Sequence, residues 1–118
     1  MTDSEKRVPL VFFRTEAGAE PARDWLLGLP KADRRIVGEG LKQLEYGWPI
    51  GMPLCRALGG GLFGLRASLA TRRIARVIVC VFENELYALH GFIKKSQKTP
   101  EADLKLARSR KRQLERAR

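Results

Sequence analysis

Apolar residues follow two different periods along this chain. Between Leu62 and Ile93 they alternate with polar residues or form unbroken runs, as strands do; elsewhere they recur at three and four residues, as on a helix face. Val8–Arg14 (VPLVFFR) predicts a first strand, rich in β-branched and aromatic residues, with Pro9 suiting an edge position or a strand start. From Pro21, a residue suited to a first helical turn, Ala22, Trp25, Leu26 and Leu29 fall on one helical face. Leu29-Pro30 interrupts that pattern. A second helix is expected from about Lys31 to Tyr46 with the stripe Ile36, Val37, Leu41 and Leu44, with Gly40 allowing close packing and Gly47 as a stop before Pro49. The link is short, so the two helices should form a hairpin.

Trp48–Gly61 (WPIGMPLCRALGGG) carries too much proline and glycine for long regular structure, with room for a short strand at Cys55–Leu58. Three strands then follow at Leu62–Ser68, Ile74–Glu83 and Leu86–Ile93, joined by an ATRR stretch and by Asn84-Glu85. Links of this length predict antiparallel hairpins. The middle run, IARVIVCVFE, is apolar on both faces and belongs at the centre of the sheet. A last helix is expected near Pro100, with Thr99 as N-cap and Glu101 and Asp103 favouring its N-terminus. Its stripe of Leu104, Ala107 and Leu114 is thin, so this basic end, about 100–118, should fray or dock only on a partner. The order predicts an α+β fold: a small antiparallel sheet, an N-terminal helical hairpin packed on one face, and a C-terminal helix. No internal repeat is present, and 118 residues suit a single domain spanning 1–118.

Composition narrows the function classes. Hydrophobic residues make up 44% and charged residues 31%, as in an ordinary globular domain. No apolar run approaches the roughly 18–20 residues that cross a bilayer, and MTDSEKRVPLVFF lacks a secretory pattern, so a cytoplasmic protein is expected. Cys55 and Cys80 lie far apart, Cys80 within VIVCVF as a small buried hydrophobe; together with one histidine they offer no zinc spacing and no support for a disulfide. No cofactor is expected. The charge balance is the informative feature: 23 Lys+Arg against 13 Asp+Glu, net +10. A small domain this basic suits a polyanion or an acidic protein; a basic solubility surface is the plainer reading.

Parity along the strands groups part of that charge. Phe63, Leu65 and Ala67 share the face suited to the helices, so Gly64, Arg66 and Ser68 point away. Arg76 shares a face with Ile78, Cys80 and Phe82. His90 shares one with Leu86, Ala88 and Phe92, and Lys94 continues that parity. If the registers agree, Arg66, Arg76, His90 and Lys94 converge on one open face. Each also has a plain structural reading: snorkelling arginines, a packed histidine, and lysines 94, 95 and 98 solvating a strand end. Grouped cations repel one another, and a bound phosphate would offset that repulsion.

These segments also carry a resemblance. GLFGLRASLATRRIARVIVCVF followed by ELYALHGFIKKSQKTPEADLKLARSR resembles the HigB-like, phage-derived subgroup of the RelE/ParE toxin superfamily, with its patterns G-L-x-E-L-R, x-R-V and L-H-G-F-x-K-K-x-x-K-T-P. The likeness runs from about Leu10 to Arg110, and the lysine-rich segment is its most specific part. It implies a RelE-like sheet carrying two helices, and a toxin of a type II toxin–antitoxin system. The RelE-like members cleave mRNA on the ribosome without a metal, whereas ParE-like members inhibit DNA gyrase. The implied partners are ribosome-bound mRNA, ribosomal RNA and a helix-turn-helix antitoxin, with no membrane and no small-molecule cofactor.

By this resemblance Arg66 matches the arginine of the L-R strand, Arg76 that of the R-V strand, Lys94 or Lys95 the region of a further catalytic arginine, and His90 the histidine of the last strand. Arg66, Arg76, His90 and Lys94 are thus the expected catalytic set, and Lys95, Lys98, Arg73 and Arg108 the expected phosphate-binding set. Two departures stand out. Gly64 replaces the Glu or Lys common two residues before the arginine, and Leu104–Ala107 offers no catalytic tyrosine. For metal-free cleavage, arginine forks suit phosphorane charge. A lysine among cations, or a histidine, suits proton transfer. A gyrase-type inhibitor and a basic nucleic-acid-binding module with a degenerate site remain the alternatives.

Overall fold

The structure, a computed structural model, describes residues 8–94 and 99–117. Strand β1 (Leu10–Phe12) is followed by helices α1 (Pro21–Leu27) and α2 (Lys31–Gly47), strands β2 (Cys55–Gly59), β3 (Leu62–Ser68), β4 (Ile74–Phe82) and β5 (Glu85–Lys94), and helix α3 (Glu101–Arg116). The five strands form one sheet in the order β1-β5-β4-β3-β2, so the apolar run of β4 is central as its composition requires. Three of the four pairings are antiparallel. The first strand departs from the expected pattern: it pairs parallel to β5, Leu10 opposite Leu86. The whole chain from α1 to β4 intervenes, which leaves room for the crossover a parallel pair needs. It is also shorter than the seven residues read as strand, and its Pro9 sits at the sheet's edge.

The hairpin covers one face. Val37, Leu41 and Leu44 of α2 pack with Leu65, Ala67, Val77, Val79, Leu86 and Ala88 of the sheet. Gly40 brings α2 close: a Cβ there would lie 3.4 Å from Leu65 Cδ2. Ile36, assigned above to this stripe, is instead exposed, and buried Asp33 takes its place. α1 packs on β5 through Trp25, whose ring lies where a side chain at Gly91 would project.

The other face is covered only in part, by α3. Ala107 is fully buried there against Leu62, Ile78, Cys80 and Leu89, with Leu104 and Leu114 packed around them. The thin stripe therefore docks on the protein's own sheet, which corrects the expectation of a frayed or partner-dependent helix. Two polar contacts supplement it: Arg110 Nη1 donates to the Leu89 carbonyl at 2.8 Å, and His90 Nε2 shares a 2.6 Å hydrogen bond with Asp103 Oδ1. Helix α3 begins one residue later than expected: Pro100, not Thr99, occupies the cap position, and no side chain caps it. The β4–β5 turn is likewise shifted by one residue. Glu83 and Asn84 both have positive φ, 50° and 67°, as a two-residue hairpin turn requires.

Candidate functional site: a cationic cavity on the open sheet face

Strand register decides which cations meet. Arg66 of β3 lies directly opposite Arg76 of β4, and Arg76 in turn lies opposite Phe92 of β5. Lys94 closes β5 opposite Ile74. On the outer side of β3, Arg56 of β2 pairs with Gly64. Arg56, Arg66, Arg76 and Lys94 line a single cavity of about 360 Å³, completed by Met52 and Pro53 from the loop before β2. Among the described residues no carboxylate lines it.

Arg76 is the unusual member. It is only 3% exposed, and its Nε and Nη1 have no hydrogen-bond partner among the described residues. Burial lowers the pKa of its guanidinium from the ordinary arginine value, and Arg56 and Arg66 lower it further. The same physics acts on Lys94: partial burial, then Arg76, Arg56 and Arg66, hold its ammonium below the ordinary 10.5. Like charges directly opposite in a sheet are destabilising, and buried donors are rarely left unpaired. A site with both features is poised for an anion.

A family model described as phage derived protein Gp49-like (DUF891) matches residues 24–112, about three quarters of the chain and the whole of the cavity lining. The chain belongs to the Gp49-like family of phage-derived proteins. It is a toxin-like family related to RelE- and HigB-type toxins. No curated protein matches the chain.

The Gp49-like chain thus brings together three of the four expected catalytic residues: Arg66, Arg76 and Lys94. His90 does not line the cavity. Its ring stacks on Phe92 at 5.3 Å between centroids and holds Asp103 of α3. Strand parity groups His90 with Leu86 and Ala88, and the structure corrects that grouping. The register shifts between Ile78 and Val79, where Ala88 and His90 are the successive partners and Leu89 is the extra residue of a bulge. Leu86 and Ala88 therefore face the hairpin, while His90, Phe92 and Lys94 share the side of Ile78 and Arg76.

The expected phosphate-binding residues disperse. Arg73 turns to the hairpin: Nη1 and Nη2 donate to the two carboxylate oxygens of buried Asp33 at 2.8 and 3.1 Å, and this pairing raises its pKa. Arg108 meets Glu101 at 3.3 Å on the exposed side of α3. Lys95 and Lys98 lie outside the described residues. Sequence reasoning missed Arg56. Its signal was short but present: in the run Cys55-Arg56-Ala57 the arginine alternates away from a buried cysteine.

Among the described residues no group of His, Cys, Asp and Glu is placed to hold a metal, and no helix is long and apolar enough to cross a membrane.

Proposed function

We propose that the protein is the toxin of a type II toxin–antitoxin system, of the HigB-like RNase type: an endoribonuclease that cleaves mRNA on the ribosome without a metal. One observation carries the reading, the convergence of Arg56, Arg66, Arg76 and Lys94 on one cavity with Arg76 buried and unpaired. Their charges suit a phosphodiester and repel a divalent cation.

The chemistry follows from the side chains. A neutral Lys94 amine takes the proton of a ribose 2′-hydroxyl, the 2′-oxygen bonds to the adjacent phosphorus, the P–O5′ bond breaks, and the 5′-oxygen takes a proton from solvent. The ends left are a 2′,3′-cyclic phosphate and a 5′-hydroxyl. Lowering of the Lys94 pKa enlarges the neutral fraction near physiological pH. Arg66 and Arg76 stay charged and stabilise the phosphorane oxygens. On this reading the protein acts in the cytoplasm and its partners are ribosomal RNA and a helix-turn-helix antitoxin; finding a gene for such an antitoxin next to this one would support the pairing.

The test is induced expression with mapping of RNA ends, wild type against Arg76→Ala and Lys94→Ala. New 5′-hydroxyl ends that disappear in both variants are expected. Growth arrest with intact mRNA would remove the RNase reading and favour a protein target such as DNA gyrase. RNA that is bound but uncut would make the cavity the site of a binding module. Equal cleavage by the variants would overturn the residue assignment alone. Binding of RNA should weaken steeply with salt as phosphate contacts release counterions.

A further inference from the structure

The cavity holds one arginine that the sequence patterns do not single out, and it stands beside Gly64, one of the two places where this chain departs from them. Gly64 and Arg56 are register partners on β3 and β2. A Cβ added at Gly64 would collide with Nη1 of Arg76, and would also stand 3.3 Å from Arg76 Cδ and 3.2 Å from Leu58 Cδ1. The guanidinium of Arg76 therefore occupies the space that a side chain at 64 would fill. It reaches past its direct partner Arg66 on β3 toward β2, where Arg56 lines the same cavity. After burial, Arg56 and then Arg66 lower the pKa of Arg76, so the edge-strand arginine acts on it as well as its direct partner.

We infer that Arg56 and Arg76 form one phosphate clamp across Gly64, with Arg56 a further substrate-contacting residue and Gly64 the position that seats the clamp. The clamp takes a single phosphate group, presented on the proposed RNA substrate by one phosphodiester; in this it deepens the reading of the cavity as an RNA site. Two guanidinium forks supply ten N–H donors between them, and Arg76 arrives with Nε and Nη1 unspent. Arg66 adds its charge to the phosphorane oxygens beside the clamp, and Lys94 is left to proton transfer. The glycine thus does not leave a gap in the machinery. It exchanges a side chain on β3 for a guanidinium from β4 and recruits an edge-strand arginine to meet it.

Calorimetric titration of the intact protein with inorganic phosphate, at constant ionic strength, tests the clamp without RNA cleavage. Arg56→Ala should weaken phosphate binding by about tenfold or more, the loss of one charge-assisted contact set. Gly64→Ala should weaken it to a similar degree while leaving the fold intact, since the colliding atom is the far end of a side chain. A matched melting temperature and circular dichroism spectrum confirm that. Arg35→Ala, which removes an exposed cation paired with Glu39 on α2, should bind as wild type does. Binding unchanged in Arg56→Ala, or no phosphate binding by the wild type, overturns the clamp. A phosphate site that depends on Arg56 in a protein that cuts no RNA leaves the clamp standing and removes the proposed activity. RNA cleavage that is indifferent to Arg56, with phosphate binding also indifferent, does the reverse. If Gly64→Ala folds and binds phosphate as wild type does, the seating role of Gly64 is wrong.

Discussion

Replacing Arg76 by methionine should make this protein more stable and abolish its proposed activity. The guanidinium is 3% exposed and two of its nitrogens lack partners. An unsatisfied buried donor costs about 1–3 kcal/mol, more when charged. Met fills similar space with no donor, opposite Phe92 in the ladder. Exchanges of buried ionic groups for apolar ones are often neutral or stabilising by about 1–4 kcal/mol, so about 2 kcal/mol is the expectation here. Repulsion from Arg56 and Arg66 adds little, because both are exposed and screened. For 118 residues the unfolding entropy is about 0.25 kcal/mol/K, which converts that gain to a rise of about 8 °C in Tm. The assay is thermal unfolding in chloride and in phosphate at equal ionic strength. Phosphate at about 100 times its Kd should stabilise the wild type by about 2.7 kcal/mol and close the gap, while leaving the Met variant unmoved. A variant that melts below the wild type in chloride would refute the reasoning, because the guanidinium would then be holding the fold together and not awaiting a ligand.

The same electrostatics predicts a pH effect at Lys94. Its folded pKa lies below the ordinary 10.5, so the unfolded chain binds that proton more tightly; the penalty is full below the folded value and disappears as pH rises to 10.5. Stability should therefore climb through the alkaline window ending there, and urea denaturation of Lys94→Met should show a flatter climb. Gly91→Ala drives a Cβ into the Trp25 ring under α1, and overpacking of this kind costs about 1–3 kcal/mol, read as a fall of about 4–12 °C in Tm. Arg110→Ala strips the donor from the Leu89 carbonyl at the bulge, a loss of about 1–3 kcal/mol. Faster hydrogen exchange in α3 than in α2 would locate that loss, and unchanged exchange in α3 would count against its docking through this contact.

The strands and the helical hairpin were legible because their periods are strong and their breakers unambiguous. Leu62–Ser68 is delimited by Gly61 and by the ATRR stretch that follows Leu69, and the structure keeps those bounds. The mostly antiparallel sheet followed from short links, but the parallel β1 did not, because nothing local to VPLVFFR says which strand it will join. Parity located Arg66 and Arg76 correctly on the face away from the hairpin. It also placed His90 and Lys94 on that face, but it failed at Leu86 and Ala88, because a single extra residue at Leu89 inverts the reading on the N-terminal side of it. Arg73 looked like its neighbours in an arginine-rich turn. Only the packing of α2 on the sheet brings Asp33 to it across 40 positions of chain. The docking of α3 was hidden for a related reason. Its apolar stripe is thin, and part of its attachment is polar and non-local, through Arg110 and Asp103.

The two faces of the sheet explain how one small domain carries this much unpaired charge. The hairpin face is closed and, apart from the Arg73–Asp33 pair, apolar, and it holds five of the nine largest fully buried side chains. The opposite face is divided. Under α3 it is apolar, from Leu62 to Ala107; beyond the helix it carries the four cations. Phe92 marks the border: it packs with the α3 cluster, stacks on His90, and stands opposite Arg76 in the ladder. His90 in turn ties the first turn of α3 to the sheet through Asp103. The histidine that the resemblance assigns to the catalytic set thus stands outside the cavity lining, stacked on Phe92. Repulsion among Arg56, Arg66, Arg76 and Lys94 is then confined to an open cavity at the ends of strands, where solvent and ions screen it when the site is empty. A phosphate relieves it when the site is filled. Moving any of these cations to the hairpin face would bury it among Val37, Leu41 and Leu44 with neither option, which is why the charged chemistry of this fold is compatible with only one side of its sheet.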